Sequence, residues 1–247
     1  MKLSDIIEFA QQIAPLESAE EWDNVGLLVG SPDAEIDRVL LALDITPAVV
    51  REAHRIGARL IVSHHPVIFS PLSALRPDSA EYLLAKYDIA ALCLHTNLDR
   101  AEDGVNTALG AALGLKNTVL YPENFILVGE PAQPFSAEDF AAFIKEKLNA
   151  PSVRFTAGKV SRVAVSSGGG GDGVQLYETY GFDAFVTGEL KHHQYLFAAQ
   201  HQIAAFDAGH FSTEDVVIAP LKAHFAEKFP CVEFIVSKVN ACPYRAV

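Results

Sequence analysis

Apolar residues along the chain follow two alternating patterns. Short runs rich in valine, isoleucine and leucine occur at residues 38–46, 58–66 and 89–99, and such runs predict buried strands. Between them, in residues 47–57 and 79–88, apolar positions recur every three or four residues, which is the period of an amphipathic helix. Strands that alternate with helices in this way are typical of an α/β fold whose sheets are covered by helices.

The same rhythm returns in the second half of the chain. Residues 120–134, which contain three prolines and one glycine, separate the two blocks. We therefore predict one α/β unit over residues 1–125 and a second over residues 126–247, with a C-terminal segment that is able to pack back onto the first unit. The second block is predicted to contain helices at 137–149, 174–181, 190–201 and 213–229 and strands at 159–168, 182–189, 203–209 and 232–239.

Composition narrows the class of protein. Of the 247 residues, 50% are apolar and 20% are charged, so the chain can form a hydrophobic core and does not have the composition of a disordered protein. The formal net charge is −12, and no run of five lysines or arginines occurs. Proteins held by nucleic-acid phosphates or by anionic membranes usually have a basic face. We therefore expect neither a nucleic acid nor a membrane as partner.

The three cysteines bear on the compartment. Cys93, Cys231 and Cys242 are far apart and form no C-x-x-C motif, which argues against a disulfide framework or a thiolate zinc site and favours a reducing compartment. The N-terminal segment has an acid at position 5 and no long apolar stretch, unlike a signal peptide, and no run of about 18 apolar residues is present. We expect a soluble cytoplasmic protein.

Several of the nine histidines lie where predicted strands end, the edge at which open α/β sheets bind ligands. His64 and His65 close the strand predicted at 58–66. Adjacent side chains on extended backbone diverge, so this pair is better suited to two neighbouring metal ions than to one. The alternative is a pair of partly exposed histidines in a turn.

His95 and Asp99 end the apolar run at 89–99. A carboxylate at that position is able to bridge metal ions, and the alternative for Asp99 is a turn or cap residue. His95 is a candidate ligand or, in the interpretation that we rank slightly higher, a buried and hydrogen-bonded histidine.

His210 and Glu214 are separated by four residues. If the segment were helical throughout, both side chains would lie on one helix face. We favour a different geometry, in which Ser212 or Thr213 caps the helix and His210 stays in the preceding loop. The alternative role for Glu214 is favourable interaction with the helix N-terminus.

Two further motifs carry polar groups. Glu189 ends the strand predicted at 182–189, and His192 and His193 follow it on a helix, where one is expected to face the core and the other the solvent. A run of four glycines, residues 168–171, joins a strand to a helix. It could offer backbone N–H groups to a phosphate, although it lacks the Walker lysine; the alternative is a flexible turn.

Taken together, three imidazoles and two carboxylates form a set that suits two borderline divalent cations with water between them. The members of this set are His64, His65, Asp99, His210 and Glu214.

Five motifs give the chain a resemblance to a known family. WDNVGLLVG, SHHP, HTNLD, TGELKHH and GHFSTE occur in this order, and the chain thereby resembles the Nif-three-like dinuclear metal-centre family, whose members are labelled type-2 GTP cyclohydrolase I homologues. The resemblance covers nearly the whole chain. It implies two interlinked α/β units, ring-shaped hexamers and two divalent metal ions per subunit, with zinc, iron and manganese as the candidates. It also implies that the same five side chains are the metal ligands.

The resemblance implies a dinuclear metal-dependent hydrolase similar to GTP cyclohydrolase type 2, with metal-activated water as the nucleophile and Asp99 as the bridging ligand. Glu189, His95 and His192 are the candidates for proton transfer or substrate contact. A small molecule, with a nucleotide as one candidate, is the expected substrate, although no residue specifies guanine. The alternatives are a ring-forming metal-binding protein without turnover and a ring associated with nucleic acid, and the charge of −12 counts against the second.

Overall fold

Strands and helices alternate along the chain as the hydrophobic pattern predicts, and the α/β fold class is confirmed. The computed structural model describes residues 1–246. These residues form two units, the first consisting of Met1–Asp103 and Ile218–Ala241 and the second of Gly104–Val217 and residues 242–246. Among the described residues, no helix has both the length and the apolar character needed to cross a membrane.

The N-terminal part of the first unit contains four α-helices and four strands. Helix α2 illustrates how the sequence sets their ends: the Thr46 side chain accepts a hydrogen bond from the backbone N–H of Val49, Pro47 occupies the first turn, and Gly57 ends the helix in a left-handed conformation. In chain order the elements are α1 (Leu3–Ile13), β1 (Gly26–Val29), β2 (Arg38–Ala42), α2 (Pro47–Ile56), β3 (Leu60–Ser63), α3 (Ala80–Tyr87), β4 (Ala90–Cys93) and α4 (Thr96–Arg100).

The second unit contains most of the remaining elements. They are α5 (Val105–Ala112), β5 (Lys116–Tyr121), β6 (Ile126–Glu130), β7 (Phe135–Ser136), α6 (Ala137–Lys147), β8 (Arg154–Phe155), β9 (Lys159–Val160), β10 (Val163–Ser166), α7 (Tyr177–Tyr180), β11 (Ala184–Thr187), α8 (His192–Gln200), β12 (Ala204–Asp207) and α9 (His210–Glu214). The chain then returns to the first unit with α10 (Ile218–Lys228) and β13 (Glu233–Val236).

The sheet of the first unit has the strand order β1-β4-β3-β2-β13. Neighbouring strands are parallel, except that β1 runs antiparallel to β4. Every residue of β3 and β4 is buried, as expected for strands with helices on both faces. Because β2, β3 and β4 are parallel, their carboxyl ends lie at one edge, and the residues that follow them are brought together there.

The second unit repeats this arrangement around the sheet β5-β6-β10-β11-β12-β8. Its three central strands, β10, β11 and β12, are parallel, whereas β6 and β8 pair with them antiparallel. Phe140 and Phe206 belong to a core cluster on one side of the sheet, and Phe185 belongs to a separate cluster. The carboxyl ends of β11 and β12 lead directly to Glu189 and His210.

The division between the units differs from the predicted boundary at residues 125 and 126. It lies at Asp103 and Gly104 instead, because Leu109 of α5 is buried in the core of the second unit and β5 pairs with β6. The C-terminal part of the chain does pack back, since β13 pairs in parallel with β2 of the first unit. Pro122 lies in the connection between β5 and β6, and Gly129 lies within β6. The other two prolines follow β6, so residues 120–134 lie within the second unit and do not separate the units.

The backbone at Gly30, directly after β1, provides a test of the first sheet. Its φ is +104°, and a Cβ atom there would lie 2.7 Å from Cβ of Ala90. We expect Gly30→Ala to lower the free energy of unfolding by about 3 kcal/mol, because it adds both backbone strain and overpacking. Gly57→Ala is the matched control: φ is also positive, but the new Cβ would meet only the flexible end of Arg38, and about 1 kcal/mol is expected.

Denaturant unfolding followed by circular dichroism measures both variants. Equal losses for Gly30→Ala and Gly57→Ala would contradict the close approach of β1 and β4.

Candidate metal centre

Three histidines of the first unit lie together where β3 and β4 end. His64 and His65 follow β3, and His95 follows β4. One ligand nitrogen from each ring lies within 4.8 Å of the others. The rings of His64 and His65 are 5.0 Å apart between centroids and tilted by 41°. The parallel pairing of β3 and β4 therefore assembles a group of imidazoles that the sequence presents as separate motifs.

His64 is fully buried, and its tautomer follows from its neighbours. Nδ1 lies 2.9 Å from the carbonyl oxygen of Leu94. A carbonyl only accepts hydrogen bonds, so Nδ1 carries the hydrogen and the lone pair of a neutral ring is on Nε2. The carboxylate of Asp99 faces that nitrogen, with Oδ1 3.7 Å from Nε2. Two ligand atoms at about 2.1 Å from one metal ion in a tetrahedral site lie roughly 3.4 Å apart, so a small movement would let both atoms bind the same ion.

Asp99 lies in a helical turn, not in a loop. It is part of α4, and its backbone N–H donates to the carbonyl oxygen of His95. The side chain is 15% exposed. The alternative of a turn or cap residue is therefore wrong, because α4 begins immediately after His95 and presents Asp99 towards the histidines.

His65 is oriented by a carboxylate that the sequence analysis missed. Nδ1 of His65 lies 2.8 Å from Oδ1 of Asp44, so the ring donates to Asp44 and presents Nε2 elsewhere. Asn240 in turn orients Asp44, since its side chain accepts from the Asp44 backbone N–H and donates to Oδ2. The available signal was position: Asp44 follows β2, the strand next to β3, at the same sheet edge.

His95 is held in the same way by Asp23, which was also missed although it lies in the WDN motif. Nδ1 of His95 lies 2.8 Å from Oδ1 of Asp23, while Oδ2 accepts from the backbone N–H and the hydroxyl of Thr96. Burial raises the pKa of Asp23, but the hydrogen bonds from His95 and Thr96 outweigh it and keep that pKa well below its usual range. His95 is thus both hydrogen-bonded and part of the imidazole group.

Cys93 lies beside this group without being suited to ligation. Its thiol donates to the backbone carbonyl of His64. Burial, followed by the negative charges of Asp23 and Asp99, raises the pKa of Cys93 well above its usual value. Without a metal ion the thiol is therefore held protonated in this hydrogen bond, and the other candidate donors of the group are imidazole nitrogen and carboxylate oxygen.

In the second unit, His210 and Glu214 lie on one helix, and the favoured loop position of His210 is wrong. Helix α9 begins at His210, and Gly209, with φ of +89°, lets the chain turn into it from β12. Ser212 and Thr213 are inside the helix rather than caps. The single helix predicted over 213–229 is divided into α9, a short 3-10 turn at Asp215–Val217, and α10.

The His210 ring contacts two carboxylates at once. Nδ1 of His210 lies 2.8 Å from Oε1 of Glu189 and Nε2 lies 3.0 Å from Oε2 of Glu214. A neutral ring that donates to Glu189 has only a lone pair to present to the second carboxylate, and two acceptors at this distance repel. Either a second ring proton or a metal ion relieves that repulsion, and the Glu214 side chain is only 5% exposed.

The glycine run has a steric role that its sequence did not reveal. A Cβ at Gly168 would lie 1.9 Å from Oε1 of Glu214 and 3.1 Å from Nε2 of His210. Further along, a Cβ at Gly171 would lie 2.4 Å from the carbonyl oxygen of Glu189. The segment Gly170–Leu176 is a 3-10 helix, so the α-helix predicted over 174–181 is reduced to α7. The glycines allow the backbone to approach the His210 and Glu214 side chains.

The remaining candidates lie at the surface. Glu189 has a 64% exposed side chain and contacts His210. His192 is the first residue of α8 and is exposed, as is His193. His193 therefore does not face the core, because the buried positions of α8 are Gln194 and Ala198.

A cavity of about 390 Å³ opens beside His210 and Glu189. Among the residues that line it, the buried Asp207 accepts hydrogen bonds from Arg154 and from the hydroxyl of Tyr195. Burial and the charge of Asp207 raise the pKa of Tyr195, which keeps its hydroxyl a donor. The cavity is lined by Ser152, Arg154, Gly188, Glu189, Asp207, Gly209, His210, Tyr244, Arg245 and Ala246.

Comparisons with known proteins find similar sequences and structures over nearly the whole length of the chain. The profile of the family described as Duf34/NIF3 (NGG1p interacting factor 3) matches residues 1–243. A Clostridium perfringens protein named GTP cyclohydrolase 1 type 2 homolog is 30% identical over 262 aligned positions, which cover 100% of both chains. A Campylobacter jejuni protein of the same name is 35% identical and covers 87% of this chain and 88% of its own. The crystal structure of Staphylococcus aureus protein SA1388 matches with a TM-score of 0.94 at 31% identity, covering 100% of this chain and 99% of that one.

Gly168 provides a test of the steric role. We expect Gly168→Ala to displace Glu214 and to weaken divalent-metal binding by about tenfold or more, since misplacing a metal ligand or its support typically costs that much. Gly169→Ala is the matched control, because φ at Gly169 is −78° and a Cβ there meets nothing within 4 Å. Calorimetric titration with Zn²⁺ or Mn²⁺ measures both variants, and equal affinities would show that the close approach is unimportant.

Proposed function

Because this chain belongs to the Duf34/NIF3 family, we propose that it is a divalent-metal-dependent hydrolase. The proposal assigns the ligands as His64, His65, Asp99, His210 and Glu214. The observation that carries it is shared by all three of the proposed histidine ligands: Nδ1 is bound to an oxygen acceptor, a backbone carbonyl for His64 and a carboxylate for His65 and His210. Metal-binding histidines are held in this way, with the other ring nitrogen presented to the ion.

The donor chemistry fits borderline divalent ions. Imidazole nitrogen and carboxylate oxygen suit zinc, iron(II) and manganese. The 3.0 Å contact between His210 and Glu214 is one that either a bound cation or a second ring proton would satisfy. We propose two ions per subunit with Asp99 as the shared ligand. Five side chains with one shared offer fewer bonds than two closed tetrahedral sites need, and open positions are a property of catalytic rather than structural sites.

Bound divalent ions would supply Lewis acidity, which acidifies water and stabilises negative charge that develops on the substrate. The chain's own carboxylates have a complementary task. Asp44 and Glu189 fix the rings of His65 and His210 through Nδ1, which sets the tautomer and the direction of Nε2. Glu189 is also exposed beside the cavity, so it is our first candidate for proton transfer; His95 and His192 remain candidates for proton transfer or substrate contact.

For the substrate we propose a small molecule, with GTP as the first candidate. The name GTP cyclohydrolase 1 type 2 homolog, carried by relatives that are 30% and 35% identical, supports this choice. The cavity of about 390 Å³ beside His210 has a volume within the range of small-molecule sites. If a screen with GTP and other nucleotides gave no product, the result would favour the alternative of a metal-binding protein without turnover.

The metal content tests the ligand assignment. We expect up to two divalent ions per chain by elemental analysis of the purified protein, and the loss of most of both in Asp99→Ala because that carboxylate is shared. Asp103→Ala is the control, since Asp103 is an exposed acid close in sequence. Full metal content in Asp99→Ala would remove this residue from the site.

Chelation tests whether the metals serve chemistry or the fold. Each unit has its own buried core, so we expect a chelated sample to keep its circular dichroism spectrum while losing hydrolysis of GTP or of another substrate found by the screen. His210→Ala should behave in the same way. A loss of helix signal on chelation, reversed only by metal, would assign the ions a structural role.

We also propose, from the resemblance, that the chain forms a homohexamer. Light scattering should then give about six times the 26.7 kDa of one chain. A mass near that of the single chain at working concentration would contradict it.

A further inference from the structure

Trp22 is the only tryptophan of the chain, and it is 60% exposed. A large aromatic side chain left in water forgoes hydrophobic stabilisation that burial would give. Phe69 is 53% exposed, and its ring centroid lies 6.0 Å from that of Trp22. We call these two residues the aromatic pair.

The segment that carries Trp22 is held firmly on its C-terminal side. The Asp23 side chain is fully buried and bonded to His95 and Thr96. The Asn24 side chain donates to the carbonyl oxygen of Ile68, which ties this segment to the one that carries Phe69. The exposure of the pair is therefore a feature of an ordered part of the unit and not of a loose chain end.

The pair also adjoins the imidazole group. The Trp22 ring lies 6.3 Å from the His95 ring between centroids, with the planes at 78°. Asp23, the next residue, is the carboxylate that orients His95. The backbone that fixes His95 thus also fixes the indole, and a molecule seated on the pair would lie next to the proposed metal ligands of the first unit.

We propose that the aromatic pair binds a planar heteroaromatic ring, such as a purine base, by stacking, and so sets the substrate class of the neighbouring metal centre. The proposal rests on the proposed function in that the ring belongs to the hydrolase's substrate. Stacking on aromatic side chains is strong for any π-face and tolerant of its substituents. We choose a small ring as the occupant because the pair lies beside the imidazole group, where the ring of a substrate would be next to the reacting atoms; a second copy of the chain is the alternative that the test includes.

The single tryptophan makes the test specific. We expect guanosine, titrated into the metal-loaded protein, to quench the fluorescence of Trp22 saturably, whereas ribose 5-phosphate and inorganic triphosphate, which have no aromatic ring, leave it unchanged. Phe69→Ala should raise the half-saturation concentration by about tenfold. Leu75→Ala is the matched control, since Leu75 is another exposed apolar residue, 56% exposed, close to Phe69 in sequence.

Calorimetry extends the test to Trp22 itself. Trp22→Phe should retain guanosine binding within a few fold, and Trp22→Ala should weaken it by about tenfold or more. Circular dichroism identifies any variant that fails to fold, in which case the Phe69→Ala and Leu75→Ala comparison decides.

Three results would overturn the proposal: no quenching by guanosine, equal quenching by ribose 5-phosphate, or a fluorescence change on dilution of the protein alone with a parallel fall in mass by light scattering. The last would mean that a second copy of the chain covers the pair. Quenching requires no turnover, so intact quenching without hydrolysis would refute the proposed reaction alone. Hydrolysis without quenching would refute only the proposed binding of the ring by the aromatic pair.

Discussion

The hydrogen bond from histidine Nδ1 to an oxygen acceptor is the interaction on which the candidate site depends. It fixes which nitrogen of each ring carries a hydrogen and where the other nitrogen points. A histidine at a strand end without such a partner would be free to rotate, and neither ring nitrogen would have a fixed direction. Here the acceptors come from separate places in the chain: the Leu94 carbonyl, and the carboxylates of Asp23, Asp44 and Glu189. The pairing of strands in the sheets brings these acceptors close to the histidine rings.

Close backbone approach is the second requirement. At the end of β10 the chain passes so near to Glu214 that any side chain at position 168 would displace it. Thr213 strengthens this approach by accepting a hydrogen bond from the Gly168 backbone N–H. The same hydroxyl contacts the carbonyl oxygens at the start of α9. Glycine, a short helix and one threonine together hold a buried carboxylate against an imidazole, a contact that a bound cation or a second ring proton would stabilise.

The two units present different chemistry around similar sheets. The first offers an imidazole group bordered by exposed aromatic rings, Trp22 and Phe69, whereas the second offers a histidine and a carboxylate beside a polar cavity. Stacking and polar contacts discriminate between ligands in different ways, since an aromatic face recognises a planar ring and a polar cavity recognises hydrogen-bonding groups. The similarity of the whole chain to its relatives indicates a shared family, and the relatives carry the name of an activity. The choice of substrate would depend on individual side chains such as the two aromatic rings and the groups that line the cavity.

Periodicity alone determined the α/β class and most elements, because an apolar run or stripe reports burial locally. Motif order alone indicated the family, and residue type together with position at or after predicted strand ends suggested His64, His65, Asp99, His210 and Glu214. The positioning carboxylates Asp23 and Asp44 could not be found in this way, since they are 72 and 21 residues from the rings that they orient. The unit boundary and the start of α9 at His210 likewise depend on the tertiary structure. Helix α5 belongs to the second unit because Leu109 is buried in the core of that unit. Helix α9 begins at His210 because the chain turns at Gly209. Local sequence specifies which residues favour burial or ligation, and only strand pairing specifies which distant residues meet.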